Sequence, residues 1–380
     1  MWTKEQEQVF DEYAKTHFEE TKALLKTLCE IPAPSHAEDE RAAFCREWLE
    51  KFGAKGVFVD EAKNAVFPMQ DTGKDAVLFM AHTDTVFPDV APMQVTEAEG
   101  KIYCPGVGDD TANVAIMLMA VRYFLEQGKK PKTDLIFAAD SCEEGLGNLK
   151  GSRALVERYG DRLKEVVCFD LNLDQLYVKA VGSARYEITV TTSGGHSWSD
   201  FGAPSAIHEA AQLISKLCSQ PMPKEQKASY NVGLISGGTS VNTIAQKAQF
   251  CYEYRSDSAE AMAVMEENFQ KAIAVKKDGV SVAVKTLGVR PGNGESKDKR
   301  AQEDLIVRAD KTIERVTGKK PAHLAGSTDC NIPLSLGIPS VCMGLIMGNG
   351  AHTREEYIYA DSLMLGLKTA LRFLSWYFEL

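Results

Sequence analysis

The sequence lacks several features that would assign it to large classes of protein. It has no apolar run near the ~18 residues that a membrane-spanning helix needs, so we predict no membrane partner. Acidic residues outnumber basic ones by 53 to 43, and the net charge of -10 disfavours nucleic acid, since phosphate binding needs clustered Lys and Arg. The nine cysteines include no CxxC pair, so we expect neither a disulfide framework nor a cysteine zinc finger. The charged N-terminal segment has no apolar signal core, which predicts a cytoplasmic protein.

A dinucleotide-binding fingerprint is also incomplete. Gly106 and Gly108 have the first spacing of GxGxxG, but the third glycine is missing. Asp109 and Asp110 stand where a pyrophosphate would lie and would repel it. A nicotinamide-dependent dehydrogenase is therefore disfavoured. A helix N-cap explains one aspartate but not the adjacent pair.

The length of 380 residues suits two domains, since one domain typically has about 100–200 residues. Proline-rich residues 31–34 divide the first 53 residues into two predicted helices. Short apolar runs then alternate with helical stretches, which is typical of a mainly parallel sheet with helices on both faces. The predicted strands are 76–81, 135–139, 166–169 and 340–344, and the predicted helices include 112–124 and 361–380.

The pattern changes in the middle of the chain. Residues 186–191 alternate strictly between apolar and polar, as a half-exposed antiparallel strand does. More strands and two helices follow, up to a glycine-rich linker at 290–294. We therefore predict an α/β domain formed by residues 1–181 and 294–380, with an α+β domain inserted at 182–293.

Acidic and histidine side chains follow several of the predicted strands. Open α/β sheets place ligands beyond the carboxyl ends of their strands. Carboxylates and imidazoles gathered there would suit one or two divalent cations such as zinc. The candidates are His82, Asp109, Glu143, Glu144, Asp170 and His352. Each signal is weak alone, because a Glu-Glu pair is more often part of a solvated loop, but their joint placement favours a metal site.

Five motifs in this order resemble one known family. They are HTDTV at 82–86, GDD at 108–110, the Glu143-Glu144 pair, GSTDCN at 326–331 and AHTREE at 351–356. Together they resemble the co-catalytic, dinuclear zinc metallopeptidases and deacylases that include glutamate carboxypeptidase, peptidase T and acetylornithine deacetylase. The resemblance covers essentially the whole chain. It implies a zinc-exopeptidase-like fold and two divalent metal ions, zinc or alternatively cobalt or manganese.

The resemblance also implies residue roles. The implied metal ligands are His82, Asp109, Glu144, Asp170 and His352. Asp109 would bridge the two ions, with His82 and Asp170 completing one site and the other two ligands the second. The bond from Asp109 to Asp110 would be a cis peptide.

Two catalytic roles follow from the same resemblance. Asp84 would orient His82, and Glu143 would be the general base.

The sequence departs from the family pattern at two places. Residues 111–113 are Thr, Ala and Asn where the family commonly has Lys and Gly, which we interpret as altered packing around the site. Asp170 lacks the Gly or Pro that often follows it, so Asp174 is the alternative fifth ligand.

The inserted domain carries residues at positions that bind substrate in the family. His196 would reach the reacting carbonyl oxygen, often from the partner subunit of a dimer. Asn242 and Arg255 would hold a substrate carboxylate, for which the planar guanidinium is well suited. Ser327 of the GSTDCN motif is a further candidate contact. From the residues alone, a turn histidine at His196 and a surface ion pair at Arg255 are the favoured interpretations. The family resemblance makes the substrate-binding roles about equally plausible.

The predicted activity is hydrolysis of an amide bond in a small peptide, as an exopeptidase of the di- or tripeptidase or carboxypeptidase type. Water activated by two metal ions would attack, and the enzyme would be a homodimer through the inserted domain. An N-acyl-amino-acid deacylase is the alternative, and a non-catalytic metal-binding protein is disfavoured by Glu143. We expect His17 and His36 to face solvent in helices, His323 to lie outside the site, and Cys142 to have no histidine partner.

Overall fold

The computed structural model describes residues 2–274 and 276–379. The helices in this part of the chain are α1 (Lys4–Thr16), α2 (Phe18–Glu30), α3 (Asp39–Lys51), α4 (Ala112–Glu126), α5 (Lys150–Tyr159), α6 (Ala206–Cys218), α7 (Ala259–Ile273), α8 (Lys299–Thr317), α9 (Asn331–Ser335) and α10 (Ser362–Ser375). A wide turn at Val107–Thr111 precedes α4.

The strands begin and end close to the apolar runs in the sequence. They are β1 (Phe58–Val59), β2 (Ala65–Gln70), β3 (Ala76–His82), β4 (Thr96–Ala98), β5 (Lys101–Tyr103), β6 (Asp134–Asp140), β7 (Leu163–Phe169), β8 (Gln175–Ala180), β9 (Gly182–Thr192), β10 (Gly195–His196), β11 (Ala228–Gly237), β12 (Thr243–Ile244), β13 (Lys247–Ser256), β14 (Val280–Arg290), β15 (Ala322–Gly326), β16 (Ser340–Met343), β17 (Gly348–Asn349) and β18 (Tyr357–Tyr359).

The chain divides into two units, which we call unit 1 (Met1–Lys179 with Glu295–Leu380) and unit 2 (Ala180–Gly294). The segment predicted as an inserted domain, 182–293, lies within unit 2. Its role as a lid and dimerisation domain stays a prediction. Among the described residues, no helix is both long and apolar enough to cross a membrane.

Unit 1 is built on an eight-stranded sheet with the order β1-β2-β6-β3-β7-β16-β8-β15. The four central strands, β6, β3, β7 and β16, are parallel to one another. Strands β1, β2 and β8 pair antiparallel, which places the antiparallel pairing toward the edges. Every residue of β3 and β6 is buried, as expected for parallel strands covered on both faces. The predicted α/β fold with a mainly parallel sheet is therefore confirmed.

The N-terminal region differs from the two predicted helices, because α1 and α2 are separate. His17 ends α1, and its ring nitrogen Nδ1 lies 2.9 Å from the carbonyl oxygen of Tyr13. The His17 ring also stacks on Tyr13 at 3.9 Å between centroids. The backbone N–H of His17 donates to the same carbonyl at 3.0 Å, so the ring contact adds to the last backbone hydrogen bond of α1. A continuous amphipathic pattern hides such a break.

The C-terminal helix is shorter than predicted. It ends at Ser375 instead of continuing to the end of the chain. The residues after it turn back, and the carbonyl of Tyr377 accepts a hydrogen bond of 2.8 Å from the backbone N–H of Lys132. Pairing between Phe378 and Pro131 continues this contact. Backbone hydrogen bonds to a distant segment thus replace the last helical turn.

The described residues of unit 2 form a four-stranded antiparallel sheet, two helices and a small two-stranded sheet of β10 and β12. The strand order is β11-β13-β9-β14, and neighbouring strands are antiparallel throughout. Side chains of β9 and β13 alternate between buried and half-buried positions, which is why the sequence alternates so strictly there. The buried set packs with residues of α6 and α7, such as Leu213 and Phe269, in a core separate from that of unit 1.

Candidate metal centre

The carboxyl ends of the central strands of unit 1 meet at one edge of the sheet. His82 is the last residue of β3 and lies opposite Asp140, the last residue of β6. Asp170 directly follows β7, which pairs with β3 on its other side. Because these strands are parallel, the side chains that follow them are brought to the same place.

The five predicted ligands form two groups that share one carboxylate. Ligand atoms of His82, Asp109 and Asp170 all lie within 4.8 Å of one another, and so do those of Asp109, Glu144 and His352. The division between the groups is the one that the motif resemblance implies. Asp174, the alternative fifth ligand, is exposed and belongs to neither group.

Asp109 uses its two carboxylate oxygens in opposite directions. Its Oδ1 lies 3.1 Å from Nε2 of His82, and its Oδ2 lies 3.1 Å from Nε2 of His352. Burial alone would raise the pKa of Asp109, but hydrogen bonds from His352 and His82 hold that pKa below its ordinary value. The peptide bond from Asp109 to Asp110 is cis, as the resemblance implies.

The carboxylates around His82 and His352 favour the protonated, positively charged form of both imidazoles. Hydrogen bonds to Asp109 and Glu144 raise the pKa of His352 to about 10. For His82, burial opposes the charged form, but Asp109 and Asp84 still raise its pKa well above the ordinary value. The carboxylates that stabilise an imidazolium here would equally attract a metal cation.

Two buried carboxylate oxygens show that this donor set fits metal ions. Among the described residues, Oδ1 of Asp170 is buried without a hydrogen-bond donor, and the buried Oε1 of Glu144 lies 3.2 Å from Nε2 of His352. Burial raises the pKa of Asp170 to about 7 and also raises the pKa of Glu144. Coordination would satisfy both oxygens and stabilise both charges. Three carboxylates and two imidazoles are donors that zinc and similar divalent cations accept.

Asp84 contacts two parts of the centre, His82 at the end of β3 and the Glu143-Glu144 segment after β6. Its backbone carbonyl lies 3.1 Å from Nδ1 of His82, and its Oδ1 lies 3.5 Å from the same nitrogen. The side chain also accepts hydrogen bonds from the backbone N–H groups of Glu143 at 2.9 Å and Glu144 at 3.0 Å. Ser35 donates a further one of 2.6 Å. Asp84 therefore contacts the His82 ring and the backbone of the Glu143-Glu144 segment at the same time.

Glu143 lies beside the two groups. Its side chain belongs to a third cluster, with His82 and Glu144, in which the possible ligand atoms again lie within 4.8 Å of one another. The residue is 6% exposed. A carboxylate at this place can exchange a proton with a molecule bound at the centre.

Residues 111–113, which depart from the family pattern, pack around the centre as expected. The side-chain amide of Asn113 donates to Asp110 at 2.5 Å, and Asp110 in turn accepts a hydrogen bond of 3.0 Å from the backbone N–H of His82. Arg41, which is buried, donates to the hydroxyl of Thr111 at 3.2 Å and to the carbonyl of Thr83 at 2.7 Å. The sequence did not single out Arg41, because nothing near it in the chain marks it as buried.

The predicted substrate residues of unit 2 are exposed or partly exposed. Nδ1 of His196 accepts a hydrogen bond from the backbone N–H of Trp198 at 3.2 Å. The loop of Asn242 pairs with the His196 segment, since β10 and β12 form a small two-stranded sheet. Arg255 lies on β13, with a guanidinium nitrogen 3.2 Å from a Glu253 oxygen. Ser327 lies in unit 1, directly after β15.

The expectations for His36 and Cys142 are confirmed only in part. His36 is exposed, as expected, but it lies in the turn between α2 and α3, with φ of 73°, and not in a helix. Its Nδ1 lies 3.3 Å from Sγ of Cys142, so this cysteine does have a histidine neighbour, brought there by the fold across 106 positions. Cys142 is nevertheless fully buried, and burial raises its pKa to about 12, which makes it a poor nucleophile.

The expectation for His323 agrees with its position. The ring of His323 is exposed and pairs with Asp310 at 2.8 Å. The sequence analysis also missed Glu356, which lies next to Glu355 in the AHTREE motif. Glu356 is 2% exposed, whereas Glu355 is exposed. Nothing in the motif distinguishes the buried glutamate from the exposed one, because the two are adjacent and both precede the short strand β18.

Comparisons with known proteins agree with this geometry. YqjE of Bacillus subtilis (strain 168) is 25% identical over 370 residues, which are 90% of this chain and 95% of YqjE. Acetylornithine deacetylase of Myxococcus xanthus is 24% identical over 315 residues, covering 77% of this chain and 78% of that protein. The solved structure of a tripeptidase from Staphylococcus aureus subsp. aureus mu50 has a TM-score of 0.75 at 23% identity and covers 94% of this chain and 97% of that chain.

A family model decides the classification. Residues 78–376 match the model of peptidase family M20/M25/M40. This match spans most of the chain and includes all five motifs on which the resemblance rests. This chain therefore belongs to peptidase family M20/M25/M40.

Proposed function

We propose that this protein hydrolyses an amide bond at one end of a small peptide and uses two divalent metal ions to do so. One observation carries the proposal: two three-residue ligand groups share Asp109, and the carboxylate of Glu143 lies beside them. His82, Asp109 and Asp170 would hold one ion, and Asp109, Glu144 and His352 the other. When bound, the ions would lower the pKa of water toward ~7 and polarise the scissile carbonyl.

The remaining chemistry belongs to the chain itself. Glu143 would accept a proton at its carboxylate from the attacking water and later deliver it to the leaving amine. Its backbone N–H is fixed to Asp84 at 2.9 Å, which limits where the carboxylate can lie. Asp84 would also hold His82 in one ring orientation and tautomer.

Substrate recognition is proposed for four residues outside the ligand groups. His196 would donate a hydrogen bond to the reacting carbonyl oxygen and stabilise its developing negative charge. Asn242 and Arg255 would bind a substrate carboxylate, and Ser327 would be a further contact. The exposure of His196 and Asn242 and the partial exposure of Arg255 support this proposal, since each can reach a ligand.

An N-acyl-amino-acid deacylase is the second candidate. It is supported by the similarity over 77% of this chain to a protein named acetylornithine deacetylase. The same centre would cleave an acyl amide in place of a peptide bond. A metal-binding protein without turnover is disfavoured, because such a protein has no need for Glu143 at this position.

Three further properties belong to the proposal. Zinc is the expected native metal, with cobalt or manganese as alternatives that the same ligands accept. A homodimer through unit 2 is expected from the family resemblance, and a cytoplasmic location stays part of the same proposal. A clean monomer in sedimentation would contradict the dimer.

The test is a Glu143→Gln variant assayed on a substrate panel, with metal content measured on the same preparations. The panel contains dipeptides, tripeptides and N-acetyl amino acids. We expect kcat to fall by about 10²–10⁴-fold with metal content unchanged, because only proton transfer is removed. Glu157→Gln, at an exposed position of α5, is the matched control and should retain full activity. Full activity in Glu143→Gln would overturn the general-base assignment.

A further inference from the structure

Glu356 is a buried carboxylate close to the candidate centre that belongs to neither ligand group. It follows His352 by four positions and directly precedes β18. Its exposed fraction is 2%, although the neighbouring Glu355 is exposed. A buried carboxylate is costly unless donors surround it, so its contacts indicate its purpose.

The carboxylate of Glu356 accepts three backbone hydrogen bonds from one short segment. Oε2 accepts from the N–H of Gly106 at 2.7 Å, and Oε1 accepts from Gly108 at 2.8 Å and from Asp109 at 2.9 Å. Successive backbone N–H groups that converge on one anion fix the path of the chain between them. The segment fixed in this way includes Asp109 itself.

Two glycines make this close approach possible. Gly106 has φ of +75°, a conformation that side chains disfavour. A Cβ atom at Gly108 would lie 3.2 Å from Oε1 of Glu356 and 3.1 Å from Ile358. The GVGD sequence therefore forms a cradle for a carboxylate that comes from 247 positions further along the chain.

The two segments joined by Glu356 carry two of the three members of one ligand group. The segment 106–109 ends in Asp109, and the loop before Glu356 contains His352. Oδ2 of Asp109 lies 3.1 Å from Nε2 of His352. Glu356 thus links the backbone of Asp109 to the chain segment that carries His352.

We infer that Glu356 is a positioning residue, which sets the place of the shared carboxylate of Asp109 relative to His352 and so determines how tightly the centre holds metal. This inference rests on the proposed function, because it assigns Asp109 and His352 as ligands. Glu356 does not touch the metal or the substrate. It acts through the backbone of Asp109.

The test is Glu356→Gln, with Glu355→Gln as the matched control one residue away. The glutamine side chain has the same size as that of glutamate, but its NH₂ group would face backbone N–H donors and could not accept their hydrogen bonds. The segment 106–109 would therefore move away from residue 356. Circular dichroism establishes that each variant is folded. Zinc affinity and stoichiometry are then measured by competition with a chelator and by elemental mass spectrometry, and kcat and KM are measured separately.

We expect Glu356→Gln to bind zinc about 10–100-fold more weakly, as is typical when a partner behind a ligand is lost. Its kcat should fall at subsaturating zinc and recover in part at high zinc, with KM little changed, whereas Glu355→Gln should match the wild type. A folded Glu356→Gln protein with wild-type zinc affinity would overturn the inference. If Glu356→Gln does not fold, Glu356→Asp replaces it, and wild-type zinc affinity in that variant would overturn the inference equally.

The two proposals fail separately. A wild-type protein that binds two zinc ions but hydrolyses nothing in the panel contradicts the proposed function and leaves the role of Glu356 intact. A wild-type protein that hydrolyses substrate, together with unchanged zinc affinity in the Glu356 variant, contradicts only the positioning role.

Discussion

The two ligand groups of the candidate centre differ sharply in their exposure to solvent. The side chain of His82 is 1% exposed, and that of His352 is 56% exposed. We call the group of His82, Asp109 and Asp170 the buried half and that of Asp109, Glu144 and His352 the exposed half. Both halves use Asp109, so the difference lies in the residues that each adds to it.

The halves also differ in how firmly the structure holds them. Asp84 contacts the ring of His82, and Asp110 accepts a hydrogen bond from its backbone N–H. His352 lies in a loop at φ of 65°, and its ring pairs with the two carboxylates of its own group. We therefore expect the buried half to be preorganised for a metal ion and the exposed half to exchange metal or admit a ligand more readily.

The largest effect that tests this comparison is expected from Asp170. Asp170→Asn removes a charged ligand of the buried half, so we expect loss of one metal ion and a fall in kcat/KM of more than about 100-fold. Losing even a residue behind a ligand commonly costs about 10–100-fold. Asp174→Asn is the control, because Asp174 is exposed and outside both groups. Equal losses in the two variants would break the assignment of the fifth ligand.

The second prediction concerns stability without metal. His82→Ala leaves the buried Asp84 without its histidine partner and removes one of the two histidines that contact Asp109. Breaking such a buried pair costs about 3–5 kcal/mol of unfolding free energy. His352→Ala removes a half-exposed ion pair, and we expect a loss of about 1 kcal/mol or less. Urea unfolding in the presence of a chelator measures both values. Similar losses in both variants would show that the halves do not differ as described.

The smallest predicted effect is kinetic and is measured first on the unaltered protein. When a chelator is added to the loaded protein, metal release should have two phases, the faster one from the exposed half. In His352→Ala the fast phase should disappear while the slow phase keeps its rate. A single phase in the wild type, in which both ions leave at the same rate, would contradict the expectation that the two halves release metal at different rates.

The strand ends explain why much of the site was visible in the sequence. An apolar run followed directly by His82 or Asp170, or after three residues by Glu143, is a local pattern. The parallel sheet brings such patterns together. The rules of strand alternation thus predict both the fold class and the convergence of these side chains. The resemblance to a family added the division of ligands between two ions.

The contacts that were missed depend on which distant segments pack together. Glu355 and Glu356 are identical in type and adjacent, and only the fold determines that the second is buried against residues 106–109. His36 and Cys142 are 106 positions apart and meet for the same reason. His17 lies at the break between α1 and α2, and a helical pattern reveals neither this break nor the contact of the His17 ring with Tyr13.

The central claim is that five side chains of unit 1 hold two divalent cations around Asp109. Crystals of zinc-loaded protein, with diffraction recorded on both sides of the zinc absorption edge, test it directly. We expect two anomalous peaks, one among His82, Asp109 and Asp170 and the other among Asp109, Glu144 and His352. No peak at these side chains, or a peak with other ligands in a fully loaded protein, would contradict the account.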